Sequence, residues 1–387
     1  MLKVLVVGQT PPPYGGSPIM VENLLRGNFN DVQMIHVRVG FVSHIKDHGR
    51  INLWKILHVF TLIARIIYHR FADCPHILYS LPAGPNRITL LRDFPILIST
   101  RWLFDKTVFH YQLAGLSDLY DQLPSWQRWL YRRAYFGADA AIRLSELNPE
   151  DGKRLAAKRE YVIPNAVEDP CPEFTAARTS RANGASDRLR ILFVGMLRES
   201  KGLLVLIEAC GKLAAAGIPF RLEVMGQWQS DEFAARVHKR IQELSLSAHV
   251  RFLGVLVGDE KFLAYHRADV FCFPTFFNNE GLPVVLLEAA ACGLPIVATR
   301  WRGVPSVVDD GKTGFIVEPH DPAAVADRLA RLAQDDALRA RMGAAGRERF
   351  LQDYTLIRHH ERMRQMFLDV GRASQVHENM HVVNAPA

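Results

Sequence analysis

The chain has 387 residues, 49% of them apolar, and a formal net charge of +7. A single hydrophobic core rarely grows past about 250–300 residues, so this length predicts two domains of ordinary globular composition. The five cysteines (Cys74, Cys171, Cys210, Cys272 and Cys292) are odd in number and form no CxxC pair. This argues against a disulfide framework or a cysteine zinc site, and for buried free thiols in a reducing compartment.

The N-terminal MLKVLVVGQTPPP holds an apolar run too short for a signal peptide, and Lys3–Gly8 reads as a first buried strand. A proline turn follows, then Gly15-Gly16, then a helix that Ser17 is placed to cap. Further strands are expected at Val32–Val39, His76–Ser80, Thr107–His110, Ala138–Ile142 and Tyr161–Ile163. The most hydrophobic long stretch, Ile51–Tyr68, is interrupted by Lys55, His58 and Arg65, which argues against a membrane span. Within it, Trp54–Arg70 fits a half-buried helix covering a sheet, or a helix lying on a membrane with its cations at anionic headgroups. Trp126–Arg133, reading WQRWLYRR, poses the same choice. Residues 1–165 carry 20 Lys and Arg against 13 Asp and Glu, so the whole net charge lies in this half. Such a half suits a phosphorylated or lipid-linked partner or an anionic membrane surface. No nucleic-acid-binding motif accompanies it.

Glu168–Arg188, rich in Pro, Ala, Ser, Gly and Asn, reads as a linker. Beyond it strands are expected at Arg190–Val194, Arg221–Met225, Val250–Leu253, Val270–Phe273, Ile296–Ala298 and Gly314–Val317. Short apolar runs alternating with helical patterns are the mark of buried parallel strands in βαβ units. The division expected is 1–168, a linker at 169–188, a second domain at 189–354, a helix near 355–372 packing back on the first domain, and a flexible tail at 373–387.

The second half carries the chemistry. In ILFVGMLRESKGL a strand ends at Gly195, and Arg198 and Lys201 stand at the turn into a helix. Two cations there suit a diphosphate, the Arg as a planar fork and the Lys as a point charge. In FPTFFNNEGLPVVLLE the acids Glu280 and Glu288 flank Gly281-Leu282-Pro283 in an E-x7-E spacing. Pro283 suits the first position of a helix that stops at Gly293-Leu294-Pro295. A helix N-terminus attracts phosphate, whereas acids beside it suit hydroxyl groups of a sugar or ribose.

These segments resemble the signature of retaining glycosyltransferase family 4, also described as glycosyl transferases group 1. The resemblance implies the α/β fold called GT-B, with two doubly wound Rossmann-like domains facing across a cleft. It implies that Glu280 contacts the donor sugar, Glu288 the ribose, and Arg198 and Lys201 the diphosphate. It likewise implies that Gly15 and Gly16 approach donor and acceptor, and that His110 lines the sugar pocket. Asn165, in VIPNAVE, is similar to the family's I-P-N-G-V hinge, with Ala166 in place of Gly. Ser306 stands where the family's G-x-P-E loop has Glu, and Gln227 departs from its G-x-G, which leaves base recognition open.

No DxD motif occurs, so Arg198, Lys201 and a helix N-terminus are expected to replace a divalent metal. The expected reaction moves a sugar from a nucleotide-diphosphate sugar to a hydroxyl of a lipid-linked or saccharide acceptor, with retention, in surface polysaccharide or glycolipid assembly. The expected place is the cytoplasm, peripheral at the inner face of the membrane. A GT-B nucleotide-sugar isomerase and a non-catalytic sugar-nucleotide-binding subunit are the alternatives.

Overall fold

A computed structural model describes residues 1–12, 15–40, 53–170 and 188–383, without the side chains of 53–55 and 373–383. The expected linker falls largely outside these residues, as do the side chains of Trp54 and Lys55. The strands are β1 (Leu2–Gly8), β2 (Val32–Arg38), β3 (Ile77–Ser80), β4 (Lys106–His110), β5 (Ala140–Arg143), β6 (Glu160–Val162), β7 (Leu189–Val194), β8 (Phe220–Met225), β9 (Val250–Gly254), β10 (Val270–Phe273), β11 (Ile296–Thr299) and β12 (Gly314–Val317). The helices are α1 (Gly16–Leu25), α2 (Leu53–Ala72), α3 (Arg87–Thr100), α4 (Ser125–Tyr135), α5 (Asp151–Arg154), α6 (Leu203–Ala215), α7 (Asp231–Glu243), α8 (Gly258–Arg267), α9 (Val284–Ala291), α10 (Pro322–Gln334), α11 (Asp336–Asp353) and α12 (Leu356–Val383). Each strand sits on one of the apolar runs, with ends that move by at most two residues.

The chain divides into two compact units, 1–165 together with the chain from 357 onward, and 166–356. In the first unit six parallel strands run in the order β2-β1-β3-β4-β5-β6. Alternation along β1 sends Val4 and Val6 to one face and Leu5 and Val7 to the other. The Val4 face is covered by Val21 and Leu24 of α1 and by Met363, Met366, Phe367 and Val370 of α12. The opposite face is covered by Leu62 and Ile66 of α2, Leu90, Phe94 and Leu97 of α3, and Tyr131, Ala134 and Tyr135 of α4. Thus α2, α3 and α4 form one layer. α12 continues to Val383, further than its apolar spacing alone marks, so part of the stretch expected as a tail is helical.

In the second unit the order is β12-β11-β10-β7-β8-β9, again all parallel. This is the doubly wound order in which the chain turns outward in both directions from its first strand. Ligands of such sheets bind at the carboxyl ends of the two central strands, here β7 and β10. Every strand residue of β10, β11 and β12 is buried, as a sheet covered on both faces requires.

Candidate active site

The loops that leave β7 and β10 at this switch point carry the residues singled out in the second half of the sequence. Hydrogen bonds onto main-chain oxygens stitch these loops to each other and to the end of β11. Phe276 N donates to Ser200 O at 2.8 Å, and Trp301 Nε1 donates to Phe277 O at 2.8 Å. Thr299 Oγ1 donates to Thr275 O. Gly202, at φ 82°, lies so close to this strand end that a Cβ would stand 1.9 Å from Pro274 O. Only glycine fits there. Gly226, at φ 150°, is excluded from any larger residue in the same way, by Gly195 O at 1.8 Å from its would-be Cβ.

Glu280 is 6% exposed, so it is no solvated loop-tip acid. Its carboxylate accepts from Lys201 Nζ at 2.9 and 2.7 Å and from Thr275 Oγ1 at 2.9 Å. The Lys201 ammonium stands 4.7 Å from the Phe277 ring centroid and 5.5 Å from that of Phe273. The Arg198 guanidinium lies 4.5 Å from the Phe277 centroid as well. Its Nε is buried with no hydrogen-bond partner. Burial pulls the Arg198 pKa down and the Glu280 charge pulls it up. An unspent donor on a half-buried cation is what an incoming anion would complete.

Glu288 lies inside α9 and is 5% exposed. It accepts from Lys261 Nζ at 2.7 Å and from Tyr265 Oη at 2.8 Å. Burial and the Glu288 charge hold the Tyr265 phenol far above its ordinary pKa, so it stays a donor. Each acid of the E-x7-E pair therefore meets one lysine and one hydroxyl. Pro283 is the cap residue of α9, with Val284 first in the helix, one step from the position expected of it. Gly281, Leu282 and Pro283 are buried at this helix entrance. The helix closes as a Schellman motif, with Leu294 N donating to Ala289 O and Gly293 N to Ala290 O around Gly293 at φ 63°.

The first unit holds the remaining expected residues. Gly15 is the cap of α1 and Gly16 its first residue, so Ser17 is not the cap. Gly15 is extended at φ −168°, a conformation open to any residue. Pro13 and Tyr14 lie outside the described residues. His110 ends β4 and is 2% exposed. Gln112 Nε2 donates to its Nε2 at 3.1 Å, which leaves the ring proton on Nδ1 for Tyr79 Oη at 2.5 Å.

Burial pushes the His110 pKa down to about 3, with His359 adding repulsion, and burial pushes His359 down to about 4. The unfolded chain therefore takes up protons that the folded unit refuses as pH falls below 6.5. Stability is full above that pH and declines from there toward pH 4, by about 2 kcal/mol per histidine at pH 5. The expected result is a Tm several degrees lower at pH 5 than at pH 7. His359→Asn, which keeps a donor for Pro164 O in place of Nδ1 at 2.9 Å, should shrink that difference. An unchanged pH dependence in this variant would contradict the burial argument.

Sequence reasoning missed Thr275, Phe277, Lys261 and Tyr265. Lys261 and Tyr265 are four apart on α8 and so share a helix face, a signal visible in the spacing. Among the described residues no three His, Cys, Asp or Glu side chains are grouped as a metal would require. Cys74 is exposed, whereas Cys210, Cys272 and Cys292 are buried free thiols.

Residues 177–349 match the family described as glycosyl transferases group 1. The chain is 37% identical over 179 residues to D-inositol 3-phosphate glycosyltransferase of Corynebacterium jeikeium, covering 45% of this chain and 42% of that protein. It is 31% identical over 257 residues to the putative colanic acid biosynthesis glycosyltransferase WcaL of Salmonella typhimurium, covering 64% of this chain and 60% of that protein. The matches thus span about half the length of these curated relatives. Among solved structures, sucrose-phosphate synthase from Thermosynechococcus elongatus superposes with a TM-score of 0.70 at 19% identity, over 96% of this chain and 100% of that one. Anabaena HepE in complex with UDP-glucose superposes with a TM-score of 0.70 at 16% identity, over 95% of this chain and 100% of that one. These likenesses fix the fold as GT-B.

Proposed function

We propose, for a chain whose residues 177–349 match the family of glycosyl transferases group 1, that it transfers a sugar from a nucleotide-diphosphate sugar to an acceptor hydroxyl in glycan or glycolipid assembly. The observation that carries this reading is the cluster at the β7–β10 switch point, where Lys201 is bound to Glu280 beside an Arg198 with a donor to spare.

Lys201 and Arg198 take the diphosphate, whose leaving group gains negative charge as the sugar departs. Lys201 reaches it by loosening from Glu280, and Glu280 then has oxygens for sugar hydroxyls. Glu288 takes the ribose hydroxyls by exchanging donors with Lys261 and Tyr265. No divalent metal is needed, because two cations already face the diphosphate. The anomeric configuration is retained by departure and attack on one face, the leaving phosphate taking the acceptor proton. Glu280 is engaged with hydroxyls and is no nucleophile, unlike the paired acids of retaining glycosidases. His110 reaches a sugar hydroxyl only through Nε2, once Gln112 releases it. Gly15 and Gly16 serve the phosphate and acceptor side. The acceptor is lipid-linked or saccharide.

The test is thermal stabilisation by UDP-, GDP-, ADP-, CMP- and dTDP-sugars, with and without EDTA, since a ligand of the native state raises Tm. One nucleotide should raise it, equally with EDTA. No shift with any donor would overturn the reading, and a shift lost with EDTA would overturn its metal-free part. A sugar altered on its nucleotide without acceptor would favour an isomerase.

A further inference from the structure

The outer face of the α2–α3–α4 layer is unlike the rest of the molecule. Single exposed apolar residues are ordinary on any protein. Here, however, every exposed large aromatic among the described residues lies on this one layer: Phe60, Tyr68 and Phe71 of α2, Trp102 just after α3, and Trp126 and Trp129 of α4. Trp102 is 74% exposed and Phe71 69%.

Helical spacing explains why they share a side. In α2, Leu62 and Ile66 face the sheet, and Phe60, Tyr68 and Phe71 fall on the opposite side. In α4, Tyr131, Ala134 and Tyr135 face inward, and Trp126, Trp129 and Arg133 fall opposite. Ile88 and Leu91 of α3 add exposed aliphatic surface between them.

The charge of this layer is equally one-sided. Across α2, α3, α4 and Arg101–Leu103 the sequence contains one acid, Asp93. Asp93 is buried and accepts from Ala83 N, Arg92 Nε and Tyr135 Oη at 2.7–2.9 Å, so it offers nothing outward. Arg65, Arg132 and Arg133 are exposed, and the Arg133 guanidinium lies 5.3 Å from the Trp129 ring centroid. No helix among the described residues is long and apolar enough to cross a membrane.

We propose that this layer docks the protein onto an anionic lipid bilayer. Tryptophan rings, apolar with one polar N–H, seat at the headgroup boundary, and arginine forks take headgroup phosphates. A second copy of the same face would bring arginines against arginines with no outward carboxylate from these helices to answer them. The surface also places a glycolipid acceptor within reach of the first unit, but it stands without that reading.

The test is cosedimentation of the full chain with phosphatidylcholine vesicles, pure or mixed with phosphatidylglycerol. The protein should pellet with the anionic vesicles, poorly with neutral ones, and less as salt rises. Each basic residue near the surface contributes about 1 kcal/mol, so Arg132→Gln with Arg133→Gln should weaken binding about thirtyfold. Trp126→Ser with Trp129→Ser should weaken it at least about tenfold. Both pairs are on the surface and should leave Tm and nucleotide binding unchanged. Failure of the parent to pellet, or tryptophan variants that pellet like the parent, would overturn the proposal. So would a dimer in ultracentrifugation that these variants make monomeric. The assay reads lipid binding alone, so a chain that transfers sugar yet ignores vesicles sinks this inference and spares the proposed function.

Discussion

Glu280→Ala lowers sugar transfer about a thousandfold or more and leaves nucleoside diphosphate binding within a few-fold. Contacts to a reacting group held in a buried polar site carry effects of this size. The diphosphate cations remain in this variant, and Lys201, released from the carboxylate, faces the phosphates alone. The fold pays separately. Removing one partner of a buried ion pair costs about 3–5 kcal/mol, because the other charge is left uncompensated. Glu280→Gln controls for this, since an amide still accepts from Lys201 and Thr275 while losing the charge. It should cost less stability than Glu280→Ala, because one amide oxygen still accepts where Oε2 did, and it should still lose most activity. Lys201→Ala, in contrast, weakens transfer and nucleotide binding together, because it removes a phosphate cation and leaves Glu280 as a buried anion near the phosphates. Steady-state kinetics with calorimetric nucleotide titration separate these outcomes. Full transfer by Glu280→Gln would remove Glu280 from the sugar site.

Gly202→Ala destabilises the second unit by about 3 kcal/mol or more. Its φ of 82° alone costs an alanine about 1–2 kcal/mol, and the added methyl would meet Pro274 O at 1.9 Å. For a unit of this size that corresponds to a Tm lower by roughly 8 °C. The strain falls between Lys201 and the end of β10, so relief requires the two loops to part. That lengthens the Lys201–Glu280 contact and lowers transfer as well. Gly15→Ala is the comparison, because Gly15 is extended and only Pro18 Cδ, at 3.7 Å, is near its would-be Cβ. It should leave Tm unchanged. Equal Tm values for Gly202→Ala and the parent would refute the close approach.

The sheet framework was legible because buried parallel strands are short unbroken apolar runs, as at Val270–Phe273 and Gly314–Val317, and each run became a strand. The E-x7-E pair was legible for its spacing. Its partners were not. Lys201 and Glu280 are 79 residues apart, and what brings them together is the adjacency of β7 and β10. No local pattern records which strands become neighbours. The burial of Glu280 was hidden for the same reason, since Lys201 reaches it from the loop after β7 and Trp301, from the loop after β11, ties down its neighbour Phe277. His110 was placed at a strand end correctly, but its enclosure depends on Tyr79 and on His359 of α12, far along the chain. The reach of α12 was underestimated because its last turns lack the apolar spacing of Met363 to Val370.

The cover that α12 gives the first sheet has a consequence for how the chain is made. Residues 1–165 leave the ribosome first, yet one face of their sheet waits for Met363, Met366, Phe367 and Val370. The stretch 166–356 has its own core and finishes while that face is still open. The first-made unit is therefore the last to be completed. Until Val370 has emerged, Val4, Val6, Tyr79 and Val108 lack part of their apolar cover. A chain released early, short of residue 363, would carry a sound second unit and an aggregation-prone first one.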